Sequence, residues 1–143
     1  MQVEAFLSDS VQAADGKLHA LGIGWRVIQA GGFPARHDRI GLGLIVRTAP
    51  SEAGAHTLSI SLLGPAGAPQ RFGDGTAFEA GFATPEGEGT ATLALNLDGL
   101  VFEAEGEYTF VLAIDGNEVR REPFTVQTRA QPPAAEFRTG VYL

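Results

Sequence analysis

Three glutamates at alternate positions have the spacing that best suits chemistry in this sequence. In an extended segment, Glu103, Glu105 and Glu107 would share one face, because side chains alternate across a strand. Glycosidases use paired carboxylates to protonate the leaving group and to activate water or attack the sugar. The chain has one Trp and two Tyr, so few aromatic rings are available to stack on a sugar. A small hydrolase that acts on a carbohydrate or an ester through this acidic cluster is therefore the alternative hypothesis.

The other reactive residues form no recognisable catalytic or metal-binding pattern. His19, His37 and His56 lie on separate segments, without a metal-ligand spacing such as HExxH. The chain has no cysteine, which excludes a thiol nucleophile and thiolate metal ligands. Asp74 and Glu79 offer oxygen atoms to Ca²⁺ but lack the spacing of an EF-hand loop. We therefore predict no catalytic residue, no metal site and no cofactor.

The best-defined element that could position such residues is a hairpin over residues 107–127. Its first arm has an apolar face made by four alternating residues, Tyr108, Phe110, Leu112 and Ile114. Asp115-Gly116 predicts a type I′ turn, because both central residues of that turn need a positive φ. The return arm places Phe124 and Val126 on the same face. Pro123 has no N–H, so we expect this arm to be an edge strand or to be bulged at that residue.

Short alternating segments upstream of the hairpin predict further strands. They cover residues 2–7, 18–30, 39–48, 56–64, 76–83 and 90–97, with glycine or proline at many of their ends. The pairs Asp15-Gly16 and Asp98-Gly99 predict two more turns. The single tryptophan, Trp25, falls in the predicted strand 18–30, and we expect it to anchor the core. In that strand it is in register with three apolar residues, Leu21, Ile23 and Val27.

These patterns predict an all-β protein with one folded domain. We expect an immunoglobulin-like antiparallel β-sandwich of about seven to nine strands over residues 1–128. Residues 129–143 form a proline-containing linker and an apolar C-terminal tail.

The net charge of −7 is concentrated in one part of the chain. Residues 74–122 carry eleven acidic and two basic residues, which argues against nucleic-acid partners because phosphate binding needs a basic surface. No stretch approaches the roughly 18 apolar residues of a membrane span. The first ten residues lack the basic and apolar regions of a secretory signal. We therefore expect a soluble, cytoplasmic protein without a membrane partner, although a mature form would also lack its signal.

Small residues dominate the positions opposite the predicted core. The most prominent are Gly22, Gly24, Gly41, Gly43, Ser59 and Ser61. A solvent-facing sheet normally carries longer polar side chains, whereas small residues let another backbone approach closely. Two explanations remain open: these residues bind a partner, or another part of the chain, such as the loop at 64–89, covers them.

The last eight residues, 136–143, are more apolar than a solvated tail. They include four apolar or aromatic residues, Phe137, Val141, Tyr142 and Leu143. Such a segment can add as a strand to an exposed sheet edge. We therefore count these four among the predicted partner-binding residues, and docking on the same chain and on another copy both remain open.

Both ends of the sequence resemble a bacterial family of unknown function. The first matching stretch, residues 11–25, has the pattern VQ..DGKL..LG.GW. The second runs from Gly106-Glu107-Tyr108 through Asp115-Gly116 to Phe124 and Val126. The resemblance implies a small immunoglobulin-like sandwich, and it implies no known activity or catalytic residue. We therefore predict a non-enzymatic protein-binding or assembly module, whose partner is another protein or a second copy in a homo-oligomer.

Overall fold

The computed structural model describes residues 1–87 and 89–129, and the fold is all-β. The described residues form ten strands: β1 (Gln2–Ser8), β2 (Ser10–Ala14), β3 (Lys17–Leu21), β4 (Val27–Ala30), β5 (Ala35–Thr48), β6 (Gly54–Leu63), β7 (Ala77–Thr84), β8 (Gly89–Phe102), β9 (Gly106–Ile114) and β10 (Asn117–Thr128). Two single-turn 3-10 helices, Pro50–Glu52 and Pro65–Gly67, lie in the loops on either side of β6. Within the described ranges, no helix is long and apolar enough to cross a membrane.

The two larger sheets pack against one shared core. One has the strand order β1-β5-β8, and the other has the order β4-β10-β9-β6-β7. Their strands pair antiparallel, except that β4 runs parallel to β10. Leu42 and Leu44 of β5 and Ile60 and Phe110 of the opposite sheet are fully buried in the same cluster. Burial of these side chains on both inner faces holds the sheets together.

The predicted C-terminal hairpin is confirmed as β9 and β10. Asp115 and Gly116 have φ values of 51° and 82°, as a type I′ turn requires. The four apolar residues of the first arm are all buried, as are Phe124 and Val126 of the return arm. β10 is an interior strand, contrary to one of the two expectations for Pro123. The pairing with β9 is regular at Pro123, and the register shift lies instead between Glu118 and Arg120; β10 begins to pair with β4 only at Thr125.

The predicted strand over residues 18–30 is wrong. β3 ends at Leu21, and β4 begins at Val27 after a turn in which Gly22 and Gly24 have positive φ. Leu21 and Ile23 are 71% and 60% exposed, so they do not share a buried face with Trp25. Trp25 nevertheless contacts the core as predicted, because its ring packs edge-on against Phe124 at a centroid distance of 5.8 Å.

The predicted turn at Asp98-Gly99 is also wrong, because β8 continues through it to Phe102. Gly99 has a φ of 70°, which changes the side on which the following residues point. Leu97, before this point, packs against the core, and so do Leu100 and Phe102 after it, while Val101 is 49% exposed. Asp-Gly therefore marks a switch of face inside a strand here, and not a reversal of the chain.

The β2–β3 hairpin lies on the outer face of the three-stranded sheet. The side chain of Asn96 in β8 accepts a hydrogen bond from the Val11 N–H at 3.0 Å and donates one to the Val11 carbonyl at 2.8 Å. Asn96 therefore satisfies both backbone groups of a β2 residue and ties the hairpin to β8.

The connection from β8 to β9 crosses from one sheet to the other. Tyr108, near the start of β9, is buried, and its hydroxyl donates a hydrogen bond to the Ala104 carbonyl at 2.7 Å. At the other side of this connection, the Glu105 side chain accepts a hydrogen bond from the Thr128 N–H at 2.9 Å. These two bonds fix the crossover and the end of β10 close together.

Candidate functional site

An apolar cleft lies between β7 and β8, which are edge strands of opposite sheets. Its apolar lining comes from Phe72, Phe78, Leu97 and Leu100, and its polar rim includes Asp74, Glu79, Asn96 and Asp98. Its volume is about 420 Å³. We call these residues the β7–β8 cleft.

The connection between β7 and β8 lies at the end of these strands away from the cleft. β7 ends at Thr84 and β8 begins at Gly89, so the strands are joined by four residues near the loop that carries Pro50–Glu52. No strand in the described part of the chain pairs with the free edge of β7 or of β8. At the other end of the two strands, near Ala77 and Leu100, the segment Phe72–Gly75 lines the cleft together with β7 and β8.

The residues of β7 and β8 that point inward are therefore less buried than those of the central strands. Phe78 is 40% exposed, although its partner across the ladder, Ile60, is fully buried. Three leucines of β8 pack against the core but remain only partly buried, Leu93, Leu95 and Leu97. Exposed apolar side chains beside an unpaired strand edge are the features that a β-strand partner uses.

The rim of the cleft is acidic, and one of its carboxylates is held by an ion pair. Arg39 donates to Asp98 through Nε at 2.6 Å and through Nη2 at 3.0 Å. These two hydrogen bonds lower the pKa of Asp98 and raise the pKa of Arg39. Asp98 therefore stays ionised and points toward Arg39.

The six small residues predicted to bind a partner do not form one surface. Gly22 and Gly24 lie in the turn after β3, where their positive φ accounts for glycine. Gly41 and Gly43 are buried on the outer face of β5. A Cβ on Gly43 would meet the Phe6 ring, and one on Gly41 would meet the Ser8 hydroxyl and the Ser10 backbone.

Gly41 and Gly43 are therefore covered from within the chain. The cover comes from β1 and the start of β2, and not from the loop at 64–89. Ser59 and Ser61 lie elsewhere, half-buried on the outer face of the five-stranded sheet beside Ala113 and Val111. The four apolar residues of the tail, Phe137, Val141, Tyr142 and Leu143, lie outside the described residues.

The alternating glutamates do not converge on a pocket. Glu105 accepts hydrogen bonds from both the N–H and the hydroxyl of Thr128, and these bonds lower its pKa. Glu103 and Glu107 are exposed on either side of it. Within residues 1–87 and 89–129, no group of three or more His, Asp or Glu side chains has a metal-binding arrangement.

A second cluster of titratable groups surrounds His56, at the end of the molecule away from the open end of the cleft. His56 Nδ1 lies 2.6 Å from a carboxylate oxygen of Asp115, and Nε2 lies 2.6 Å from the Glu52 carbonyl. The other Asp115 oxygen accepts the Thr57 N–H at 2.9 Å. Asp115 is the main cause of a raised pKa for His56. All of these groups satisfy one another, so the cluster has a structural role.

The cleft could not be read from local patterns. Phe78 alternates with Ala80 and Phe82 in a short strand, and β8 alternates leucines, so each strand alone resembles an ordinary half-buried strand. Their exposure follows from their places at two sheet edges, which depend on the order of all the strands. The one local signal is the short connection between two apolar strands that do not pair with each other.

Comparison with known proteins assigns the chain to a family. A model of DUF6941, a family of unknown function, matches residues 4–127. The chain belongs to this family. The predicted resemblance is thereby confirmed, and the DUF6941 match includes every residue of the β7–β8 cleft, whereas the segment 136–143 lies beyond it. A search of the curated proteins finds no match.

One solved structure shows a distant similarity to the DUF6941 chain. It is the Pseudomonas fluorescens alkylpurine DNA glycosylase AlkC bound to DNA containing an abasic site analog, with 11% sequence identity and a TM-score of 0.45. The alignment covers 87% of this chain and 31% of the glycosylase chain, so the chain spans about a third of that protein. This similarity is too low to bear on fold or function.

Proposed function

We propose that this DUF6941 protein is a non-enzymatic binding module that accepts an extended polypeptide segment in its β7–β8 cleft. The observation that carries the proposal is that, among the described residues, no strand pairs with the outer edge of β7 or of β8, and that a partly exposed apolar lining lies between them. A bound strand would obtain backbone hydrogen bonds from an edge and would bury alternate side chains in the cleft.

An immunoglobulin-like sandwich is the architecture that we propose for this module. The sheet order β1-β5-β8 against β4-β10-β9-β6-β7 supports it, because two aligned antiparallel sheets with crossing connections are typical of that fold. The Tyr108 hydroxyl bonded to the carbonyl four residues upstream supports it too. A tyrosine bonded in this way at the start of a late strand is a recurrent feature of immunoglobulin-like domains.

The hydrolase alternative has less support. A carboxylate that acts as an acid or a nucleophile must face a substrate-sized site. Glu105 is instead bonded to Thr128, and its neighbours in the alternating cluster are exposed to solvent. Asp98 in the cleft rim is paired with Arg39. Asp98 and the three alternating glutamates therefore have structural partners or solvent around them.

A peptide-display experiment with the full chain tests the proposed function. Selection should enrich extended peptides with apolar residues at alternate positions, and binding can be measured by fluorescence anisotropy. We expect Phe78→Asp to weaken the binding of such a peptide at least tenfold. Ile23→Asp is the matched control, since it also replaces an exposed apolar residue with aspartate but lies outside the cleft. Equal losses in both variants, or no enriched peptide, would contradict the proposal.

A further inference from the structure

We propose that the outer edge of β7 is a dimer interface, at which β7 pairs antiparallel with β7 of a second copy around a two-fold axis. The inference goes beyond the proposed function, because it concerns the backbone edge of β7 and not the lining of the cleft. A peptide in the cleft would then take its backbone hydrogen bonds from β8. The free backbone groups of β7, its near-palindromic sequence and its single charge support this interface.

The backbone of β7 presents hydrogen-bonding groups outward at every second residue. In β6, the Thr57 carbonyl accepts from the Asp115 N–H on the side of β9, and the Leu62 carbonyl accepts from Gln70 on the opposite side. Because successive residues of a strand direct their backbone groups to opposite edges, the even-numbered residues of β6 face β7. Their partners in β7 are also even-numbered. The exposed odd-numbered residues therefore direct their N–H and C=O groups to the outer edge: Ala77, Glu79, Gly81 and Ala83.

This edge lacks the features that protect edge strands. Within residues 1–87 and 89–129, no strand pairs with it. Natural sheets block such an edge with proline, lysine, a bulge or a very short strand. β7 has neither proline nor lysine, and its pairing with β6 is regular over all eight residues. By contrast, β4, at the other edge of the same sheet, is only four residues long. The edge of β7 is therefore suited to pairing with another strand.

The sequence of β7 reads nearly the same in both directions about Ala80. Phe78 and Phe82 lie two residues from this centre, and Ala77 and Ala83 lie three residues from it. A two-fold axis at Ala80 would bring Phe78 opposite Phe82 of the second copy, twice in each dimer. Aromatic pairs across antiparallel strands are stabilising, and this one would cover Phe78, which is 40% exposed. A second copy therefore fits this edge better than an unrelated strand.

The backbone and the single charge of β7 select this register. The outward-directed residues must lie opposite one another, so the two-fold axis must pass through a residue and not between two residues. An axis at Ala80 pairs Glu79 with Gly81 of the second copy, where the atom nearest to an added Cβ is 4.0 Å away. An axis at Glu79 would place two carboxylates directly opposite each other, which is destabilising. An axis at Gly81 would lose both phenylalanine pairs.

The size of the interface sets the expected affinity. The paired residues Ala77–Ala83 extend about 23 Å along the strand. With a layer about 10 Å thick, such an edge buries on the order of 500 Å² in total, against roughly 1,600 Å² in a standard interface. The odd-numbered residues add about eight backbone hydrogen bonds, two from each pair. We therefore expect a dimer that dissociates in the micromolar range and not an obligate one.

Substitutions at Gly81 test the interface, because a side chain there would face Glu79 of the second copy. We expect Gly81→Lys to lower the dimer dissociation constant at least threefold and Gly81→Glu to raise it at least threefold, as measured by sedimentation equilibrium. Gly31→Lys and Gly31→Glu are the matched controls, since Gly31 is also exposed with open space around it. Equal effects at the two glycines would overturn the interface. So would a monomeric mass of the unmodified protein up to several hundred micromolar.

Disulfide trapping tests the register. The chain has no cysteine, so one introduced cysteine forms a disulfide only with its copy in a second molecule. At the two-fold axis, Ala80 would form a non-hydrogen-bonded pair with Cα atoms about 4.5 Å apart, which is within disulfide range. The two copies of Ala83 would lie about 20 Å apart, although this residue is the more exposed of the two. Ala83→Cys is therefore the control for Ala80→Cys.

Under mild oxidation, we expect Ala80→Cys to form a disulfide-linked dimer at least tenfold faster than Ala83→Cys, as followed by non-reducing electrophoresis. Equal rates, or a faster reaction of Ala83→Cys, would overturn the proposed pairing. Peptide binding separates this inference from the proposed function. Dimers that bind no peptide in the cleft would overturn the proposed function alone. Peptide binding by a protein that stays monomeric would overturn the dimer interface alone.

Discussion

At the scale of single residues, His56 shows how a polar cluster can fasten one end of a β fold. Its two ring nitrogens face two acceptors, the Asp115 carboxylate and the Glu52 carbonyl. Both acceptors are satisfied only when both nitrogens carry a proton, so the cationic ring is the form that fits. His56 thereby connects β6 to the turn of the C-terminal hairpin and to the loop before β6.

The stability that His56 contributes should depend on pH in a defined direction. Its pKa is raised above the usual value near 6.5, chiefly by Asp115, so its contribution is complete below about pH 6.5 and is lost as the pH rises through the folded value. The pKa of Asp115 is lowered, chiefly by His56, so that contribution is lost only in stronger acid. We expect His56→Gln to lower the melting temperature more at pH 5.5 than at pH 8.5.

Thermal melting of both proteins at the two pH values measures this difference. His19→Gln, which removes a histidine from the β2–β3 hairpin, serves as the matched control. A loss of melting temperature in His56→Gln that is the same at both pH values would show that the ring acts through packing alone.

Trp25 lies at the border of the core and packs against it. Its ring packs against Phe124 and lies 6.4 Å from the His37 ring, yet the residue is only partly buried. Within the described structure its indole N–H is buried without an acceptor, which reduces the benefit of burying the ring. We expect Trp25→Ala to cost about 2–3 kcal/mol, less than the roughly 3–5 kcal/mol expected for Phe124→Ala. Urea denaturation monitored by circular dichroism compares the two, and a larger loss at Trp25 would contradict this order.

At the scale of elements, the glycines of β5 are explained by the strand beside them. Phe6 of β1 lies opposite Gly43, and its ring fills the space above that glycine. We expect Gly43→Ala to destabilise the fold by roughly 1–3 kcal/mol, because the new methyl group would displace a packed ring. Light scattering should show no change in mass.

A double mutant and a matched glycine test this explanation. Gly43→Ala combined with Phe6→Leu should lose less than the sum of the two single losses, since the smaller side chain makes room. Gly31→Ala should be nearly neutral, because a Cβ there meets nothing within 4 Å. Additive losses in the double mutant would rule out the Phe6 contact as the cause.

Predictions from local patterns succeeded where neighbouring residues determine the element. The β9–β10 hairpin is such a case, because Asp115-Gly116 and strict alternation specify both the turn and the buried face. The segment 18–30 is the opposite case. Its apolar residues alternate, yet Gly22 and Gly24 take positive φ and the chain turns there, which places Leu21 and Ile23 in solvent. The cleft depends on strand order across two sheets, which no short pattern contains.

Asn96 is the residue of β8 that secures the β2–β3 hairpin to the sheet. Removing its side chain leaves the Val11 N–H and carbonyl without these partners. Each hydrogen bond contributes about 0.5–1.5 kcal/mol. We expect Asn96→Ala to raise the hydrogen-exchange rate of β2 and β3 amides roughly tenfold and to leave β9 and β10 unchanged. The control is Asn117→Ala, at an exposed position in the C-terminal β9–β10 hairpin. Equal exchange of the β2 and β3 amides in both variants would argue against the anchoring role.

At the scale of the whole molecule, the two sheets must be joined in a way that keeps one side closed and the other open. β1 and β10 lie near each other on the closed side, and β7 and β8 border the cleft on the other. The β8–β9 connection is one of the links between the sheets, and it crosses at the end of β8, where Phe102 packs against the core.

The hydrogen bond from the Tyr108 hydroxyl to the Ala104 carbonyl holds this crossover. Removing the hydroxyl gives the last prediction. We expect Tyr108→Phe to lower the free energy of unfolding by about 0.5–1.5 kcal/mol at pH 7, because the Ala104 carbonyl loses its donor while the ring still packs against Phe102.

Burial raises the pKa of Tyr108 above its usual 10.0. The unfolded chain therefore ionises first, and unmodified protein should lose stability as the pH rises above 10 through the folded value. Tyr108→Phe should lack that part of the alkaline loss, whereas Tyr142→Phe, which changes the second tyrosine, should retain it. Urea titrations at pH 7 and pH 10.5 measure both effects, and identical behaviour of the two variants would show that the crossover does not depend on this bond.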